Sequence, residues 1–319
     1  MSAAITQSAE ATQSSRLEAV DLARAAALLA MAIYHFTWDL EFFGRVEPGL
    51  TAQGGWKYFA RGIASTFLFL VGVSLVLSAR GGMDWRAWSI RLAQIAGAAS
   101  IITVATWFAV PNAFIFFGTL HAIALFTVVA TVFLFLHWWV SALTAIAVFW
   151  IGQTVTLEIF STPWLWWAGL NPQPPLSNDY VPMFPWLSAT LAGVAAAKLT
   201  LRTTVVDRLR TVNLTPRIKR PAMFLARHSL ATYLVHQPIL IGLIWCFTAI
   251  AGPPDQTARF VDECKRSCEI SRDAAFCQRY CGCMTENMKA QRLFAPYLAN
   301  DLDENGTTRL MSLRDHCQN

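Results

Sequence analysis

The residue types best suited to chemistry fall in one short stretch: Asp21, Arg24, His35 and Asp39, with an apolar run between the second and third. Ionisable side chains at membrane depth are costly and usually mark a site. If residues 18–40 form a helix, 100° per residue puts Arg24 about 20° around from His35. Asp21 and Asp39 then lie about 40° from His35 on its other side. The four make one polar stripe, with a rise of about 16 Å from Arg24 to His35. An imidazole titrates near working pH and suits removing a proton from a hydroxyl or amine. Asp39, one turn on, would orient the ring, and Arg24 would hold an anionic donor. The plainer reading is an interfacial Asp21–Arg24 pair and a histidine bridging two helices. Four polar groups on one stripe favour the site.

Such a stripe needs a membrane around it, and the composition supplies one. Of 319 residues, 55% are hydrophobic and 14% charged, against about 25% charged in a soluble domain. An ordinary soluble enzyme, a disordered chain and a repeat array are excluded. The charge is uneven: residues 1–251 hold 26 of the 45 charged side chains, and the last 68 residues hold 19 and six of the seven cysteines. Three segments follow: a polar N-terminus over 1–17, a membrane part over 18–251 and a cysteine-rich part over 252–319.

A crossing helix needs roughly 20 mostly apolar residues. Seven runs qualify, near 18–40, 58–78, 89–110, 114–136, 138–158, 183–201 and 223–251. The first lacks a basic start and a cleavage site, so it reads as a signal anchor. Lys and Arg gather in the loops after the second and sixth runs: Arg80, Arg86 and Arg91, then Lys198, Arg202, Arg208, Arg210, Arg217, Lys219, Arg220 and Arg227. The positive-inside rule places those loops in the cytoplasm, the N-terminus inside and the tail outside. The basic run 198–227 reads first as this topology signal, and second as a site for a polyanion such as a CoA phosphate or an anionic lipid.

Several segments resemble the heparan-alpha-glucosaminide N-acetyltransferase catalytic-domain family, with a relation to membrane acyltransferase family 3. They are Val20–Arg24 running into Tyr34–Leu40, Phe67–Leu75, Gly118–Ala124, Phe184–Leu187 and Arg227–Pro238. Arg24, ten residues, then His35 is similar to the Arg-x10-His signature of the second family. Both families are understood to take an acyl group from cytosolic acyl-CoA and place it on a sugar at the other membrane face. The resemblance implies a membrane acyltransferase that is O- or N-specific, with acetyl as the expected group, acyl-CoA as donor substrate and no metal. His35 would be the base, with Asp39 orienting it. His121 and Arg61 would stabilise charge on the thioester oxygen. Arg24, Arg61, His228 and His236 would bind the donor.

His236 precedes Gln237-Pro238 and has a rival structural role, satisfying a carbonyl that the proline frees. His137 reads as an interface residue and Cys246 as packing. The connection 159–182 carries three tryptophans and five prolines, with Asp179 in it and Glu158 just before it as its acids. It reads as an aromatic belt or as a lid with stacking faces for a sugar.

The tail reads Cys264-x3-Cys268-x8-Cys277-x3-Cys281-x-Cys283, with Cys317 near the end. Cysteines at i,i+4 share a helix face, so two such pairs predict a helical hairpin. Antiparallel packing favours Cys264–Cys281 and Cys268–Cys277, leaving Cys283 for Cys317, out of 15 pairings that six cysteines allow. The rival is a zinc site, which an oxidising compartment disfavours. Asp301–Gly306 reads as a turn and not a calcium loop.

The expectation is an all-α protein of the cytoplasmic membrane with seven crossings and a periplasmic disulfide domain. Its partners are membrane lipid, acyl-CoA and a sugar or glycan acceptor. Nucleic acid is not among them, and a homodimer is left open. The competing readings are a seven-helix transporter, and a non-catalytic membrane assembly or binding protein.

Overall fold

The computed structural model describes residues 17–47, 49–205, 215–252, 256–298 and 301–318. The polar residues 1–16 and the basic residues Arg208 and Arg210 lie outside them. The described residues contain helices and no strand. In chain order the helices are α1 Glu18–Phe42, α2 Gly54–Ser78, α3 Trp85–Ala109, α4 Thr119–Phe133, α5 Trp138–Thr154 and α6 Met183–Thr200. They continue with α7 Pro216–Arg227, α8 Ser229–Ala251, α9 Gln256–Cys268, α10 Ala274–Ala290, α11 Phe294–Leu298 and α12 Glu304–Gln318.

The helix ends follow from local chemistry. The α1 helix stops before Gly44, whose φ of 69° is left-handed, a conformation glycine adopts without a Cβ penalty. Asp84 caps α3 by accepting the Ala87 N–H at 3.0 Å. Pro111 forces α3 to end beside it. Lys198 caps the far end of α4, donating to the carbonyls of Phe133 at 2.7 Å and Leu134 at 2.9 Å. A lysine expected to mark loop topology is thus committed to a helix C-terminus.

Among the described residues four helices, α1, α2, α3 and α8, are long and apolar enough to cross a membrane. The remaining predicted runs appear as α4, α5 and α6, of 15, 17 and 18 residues. The run 223–251 differs from its expectation: His228, at φ −105° and ψ 27°, separates α7 from α8. Its first residues belong to a basic helix and not to a span. Cys246 also differs, lying exposed on α8 instead of packed.

Contacts divide the chain into two compact units. The first holds residues up to Tyr34 and Lys57–Pro238. Its core joins Leu68, Leu75 and Val76 of α2, Phe126 of α4, Val148 of α5, and Leu191 and Val194 of α6. Two glycines set the crossing of α2 with α6. A Cβ on Gly72 would fall 2.0 Å from the Thr190 carbonyl oxygen, and one on Gly193 would fall 2.1 Å from that of Phe69. Small residues at such crossings let backbones meet.

The second unit holds His35–Trp56 and Ile239–Asn319. Glu41 ties its own following loop, accepting the N–H groups of Gly49 at 2.5 Å and Thr51 at 2.9 Å and the Thr51 hydroxyl at 2.7 Å. Arg45 donates to the Gly252 carbonyl and sits 5.3 Å from the Phe247 ring centre. The predicted hairpin is present as α9 and α10, stapled by Cys264–Cys281 and Cys268–Cys277, and Cys283–Cys317 joins α10 to α12. Asp273 caps α10 through the Phe276 N–H at 2.9 Å. The segment read as a turn is a helix start: Asp303 accepts the Gly306 N–H at 2.6 Å at the head of α12. Met284, Met288, Leu293, Phe294 and Leu313 form the small core.

Candidate functional site

In the first unit, Arg24 donates to Asp21 at 2.9 Å and to the Ser74 hydroxyl at 2.7 Å. Asp21 and Arg24 lie one turn apart on α1, and Ser74 lies near the end of α2. The guanidinium is thereby fixed in place, with its charge partly balanced by a carboxylate. Glu18, in the first turn of α1, takes an ion pair from Lys219 of α7 at 2.6 Å.

His121 occupies the first turn of α4. Its Nδ1 accepts the Gly118 N–H at 3.3 Å, and its Nε2 lies 3.0 Å from the Thr103 hydroxyl. An accepting Nδ1 puts the ring proton on Nε2, which then donates to Thr103. The Thr103 hydroxyl in turn donates to the Ile115 carbonyl at 2.8 Å. Both ring nitrogens are therefore engaged in joining α3, the Ile115 loop and α4. The ring expected to stand at a thioester oxygen also closes the head of α4.

Beside it lies a polar cluster that sequence reasoning did not assemble. Asp179, from the long connection before α6, accepts the Thr119 N–H at 2.7 Å and the Thr119 hydroxyl at 3.1 Å. A Cβ on Gly118 would meet the Asp179 carboxylate at 2.4 Å, so glycine is needed there. The Tyr233 phenol of α8 lies within electrostatic reach of Thr119 and of the same carboxylate. Burial pushes the Asp179 carboxyl up from its ordinary value, and the Thr119 hydrogen bonds oppose that rise. Tyr180, next in the chain, donates to the Trp166 carbonyl at 2.6 Å and contacts Asn171 Oδ1 at 3.2 Å. Burial pushes its phenol up to about 12.

His236 joins this cluster through Tyr233: its Nδ1 is 2.7 Å from the Tyr233 carbonyl oxygen, and the rings are 5.8 Å apart. His228, at the α7–α8 junction, is exposed and bonds the Phe224 carbonyl at 3.0 Å. Arg61 is exposed on α2, and His137 is exposed at the head of α5. In the second unit His35 is half-buried and Asp39 has no exposed surface.

The structure thus brings Asp21 and Arg24 together, and places His121 and His236 around Thr119 and Tyr233. Arg61 and His228 lie on exposed surface. Ser74, Thr119 and Tyr233 each fall inside a segment quoted above for the family resemblance. Asp179 was visible as one of two acids in or beside its loop. What marks it is a contact 60 residues away in sequence. The described residues contain no group of three or more His, Cys, Asp or Glu that could hold a metal ion.

No characterised protein and no solved structure shows a significant match to the chain. A family model does: heparan-alpha-glucosaminide N-acetyltransferase, catalytic, over residues 16–238. That range takes in the Asp21–Arg24–Ser74 tie, His35, Asp39, and the Thr119–Asp179–Tyr233 cluster, and it covers well over half of the 319 residues. The chain therefore belongs to the heparan-alpha-glucosaminide N-acetyltransferase catalytic-domain family, which makes it a membrane acetyltransferase.

Proposed function

We propose that the protein moves an acetyl group from acetyl-CoA on the cytoplasmic side to an amine or hydroxyl of a sugar or glycan on the opposite face. The observation that carries this reading is the family match across residues 16–238. His35 takes the proton from the acceptor as its nitrogen or oxygen attacks the thioester carbonyl carbon. The carbon–sulfur bond breaks, the acetyl group passes to the acceptor, and the CoA thiolate leaves with a proton to give free CoA. Asp39, one turn along α1, orients the imidazole. Arg24, held by Asp21 and Ser74, supplies a fixed cation for the phosphate-bearing donor.

The same reading gives seven crossings in the cytoplasmic membrane, with α4, α5 and α6 as the shorter ones. It places the N-terminus inside and residues 252–319 as a domain outside. Three disulfides support an oxidising location for that domain.

The test is transfer from labelled acetyl-CoA to an aminosugar by the purified protein in liposomes. A general base contributes about 10²–10⁴-fold, so His35→Ala should lose activity on that order while keeping its melting temperature. Unchanged transfer by the variant would remove His35 from the mechanism. No transfer by the wild type to any sugar acceptor would overturn the reaction itself.

A further inference from the structure

Among the described residues α7 is the most basic helix, with Arg217, Lys219, Arg220 and Arg227, and the proposed chemistry does not use it. It is not a continuation of α8, because the chain breaks helical geometry at His228. At 100° per residue three arcs of its surface can be told apart. Ala222 and Ala226 share one and are buried against the protein. Ile218, Pro221 and Leu225 share an arc of about 60° beside it, and Ile218 is 55% exposed. Arg217, Arg220 and Arg227 share the next arc, of about 80°, and all three are exposed, with the exposed Phe224 ring among them. Among the described residues Lys219 is the cation of α7 drawn into an ion pair, with Glu18 at 2.6 Å.

We infer that α7 lies in the plane of the membrane surface and binds anionic phospholipid headgroups. One edge is seated on the protein through Ala222 and Ala226. The apolar arc enters the boundary of the acyl chains, where the exposed Ile218 side chain is favourable. The arginine arc beside it meets the headgroup phosphates, to which guanidinium binds in bidentate fashion. Helices of this pattern, with a basic face next to an apolar one and low mean hydropathy, rest at such interfaces. The Lys219–Glu18 pair fixes which interface it is: the one at which α1 begins. Lipid binding would then hold the starts of α1 and α8 at one depth. The inference concerns the helix alone and stands whatever group the protein transfers.

The test uses the full-length protein in lipid nanodiscs. The association of spin-labelled phosphatidylglycerol is compared with that of phosphatidylcholine. Each basic residue near an anionic surface contributes about fivefold in association. The wild type should therefore prefer phosphatidylglycerol. Arg217→Gln with Arg220→Gln should lose roughly fivefold of that preference per charge. Arg217→Lys with Arg220→Lys, which keeps the charge, should retain most of it and shows that the helix still forms. A spin label at Ile218→Cys should report a depth at the acyl boundary. Equal association of the two lipids with the wild type, or a label at position 218 exposed to water, would overturn the inference. So would displacement of the lipid by free CoA accompanied by equal loss of CoA binding in the Gln variant, which would make α7 part of the donor site.

Discussion

The Asp179 carboxylate receives both the backbone N–H and the hydroxyl of Thr119, at 2.7 and 3.1 Å. This one residue anchors the long connection before α6 to the head of α4, and burial raises its pKa. A carboxyl whose folded pKa is raised contributes stability that is complete below its unfolded value and is lost as pH rises through the folded one. The melting temperature of the wild type, taken relative to Asp179→Asn, should therefore fall as pH rises from about 4, the unfolded aspartate value. A difference that grows with pH in the other direction would show that the Thr119 hydrogen bonds outweigh burial.

Arg24 is fixed by Asp21 and Ser74. If it holds the donor, Arg24→Gln should raise KM for acetyl-CoA about tenfold or more with kcat little changed, the pattern of lost uniform binding. Ser74→Ala, which frees one side of the guanidinium, should give a smaller shift in the same direction. Steady-state kinetics with varied acetyl-CoA separates the two parameters.

The α2–α6 crossing should be intolerant of a single methyl. Gly72→Ala places a carbon 2.0 Å from the Thr190 carbonyl oxygen. Overpacking of this kind costs about 1–3 kcal/mol, and a backbone neighbour yields less readily than a side chain. Thermal unfolding should register a clear loss for Gly72→Ala and for Gly193→Ala. Gly62→Ala, where a Cβ meets nothing within 4 Å, serves as the neutral comparison.

Cys283–Cys317 closes 34 residues, for which the chain-entropy model gives about 4 kcal/mol of stabilisation. The Cys283→Ser, Cys317→Ser pair should unfold its domain at markedly lower denaturant. Non-reducing peptide mapping should recover the three pairs joined as stated; a Cys264–Cys268 peptide would contradict the hairpin.

What could be read in the sequence was local. Cysteines four apart announced a helix face, and two such faces announced the hairpin and its pairing. Apolar runs announced the long helices, and the ordered segments announced the family. What could not be read depends on contacts far along the chain. Lys198 looks like a loop cation until the carbonyls of Phe133 and Leu134 come to it. The bonds that tie His121 to Gly118 and Thr103 are equally out of sight in the sequence. The division at His228 was hidden because hydropathy averages over a window longer than the basic helix that precedes the span.

Gly72 and Gly193 give the α2–α6 pair one setting instead of a track. Sliding α6 by a turn would bring Ala189 or Ala197 to the place of Gly193, and sliding α2 would bring Leu68 or Val76 to the place of Gly72. Each puts a side chain where the partner's carbonyl now sits. Any rearrangement that leaves this crossing intact must carry α2 and α6 together as one piece.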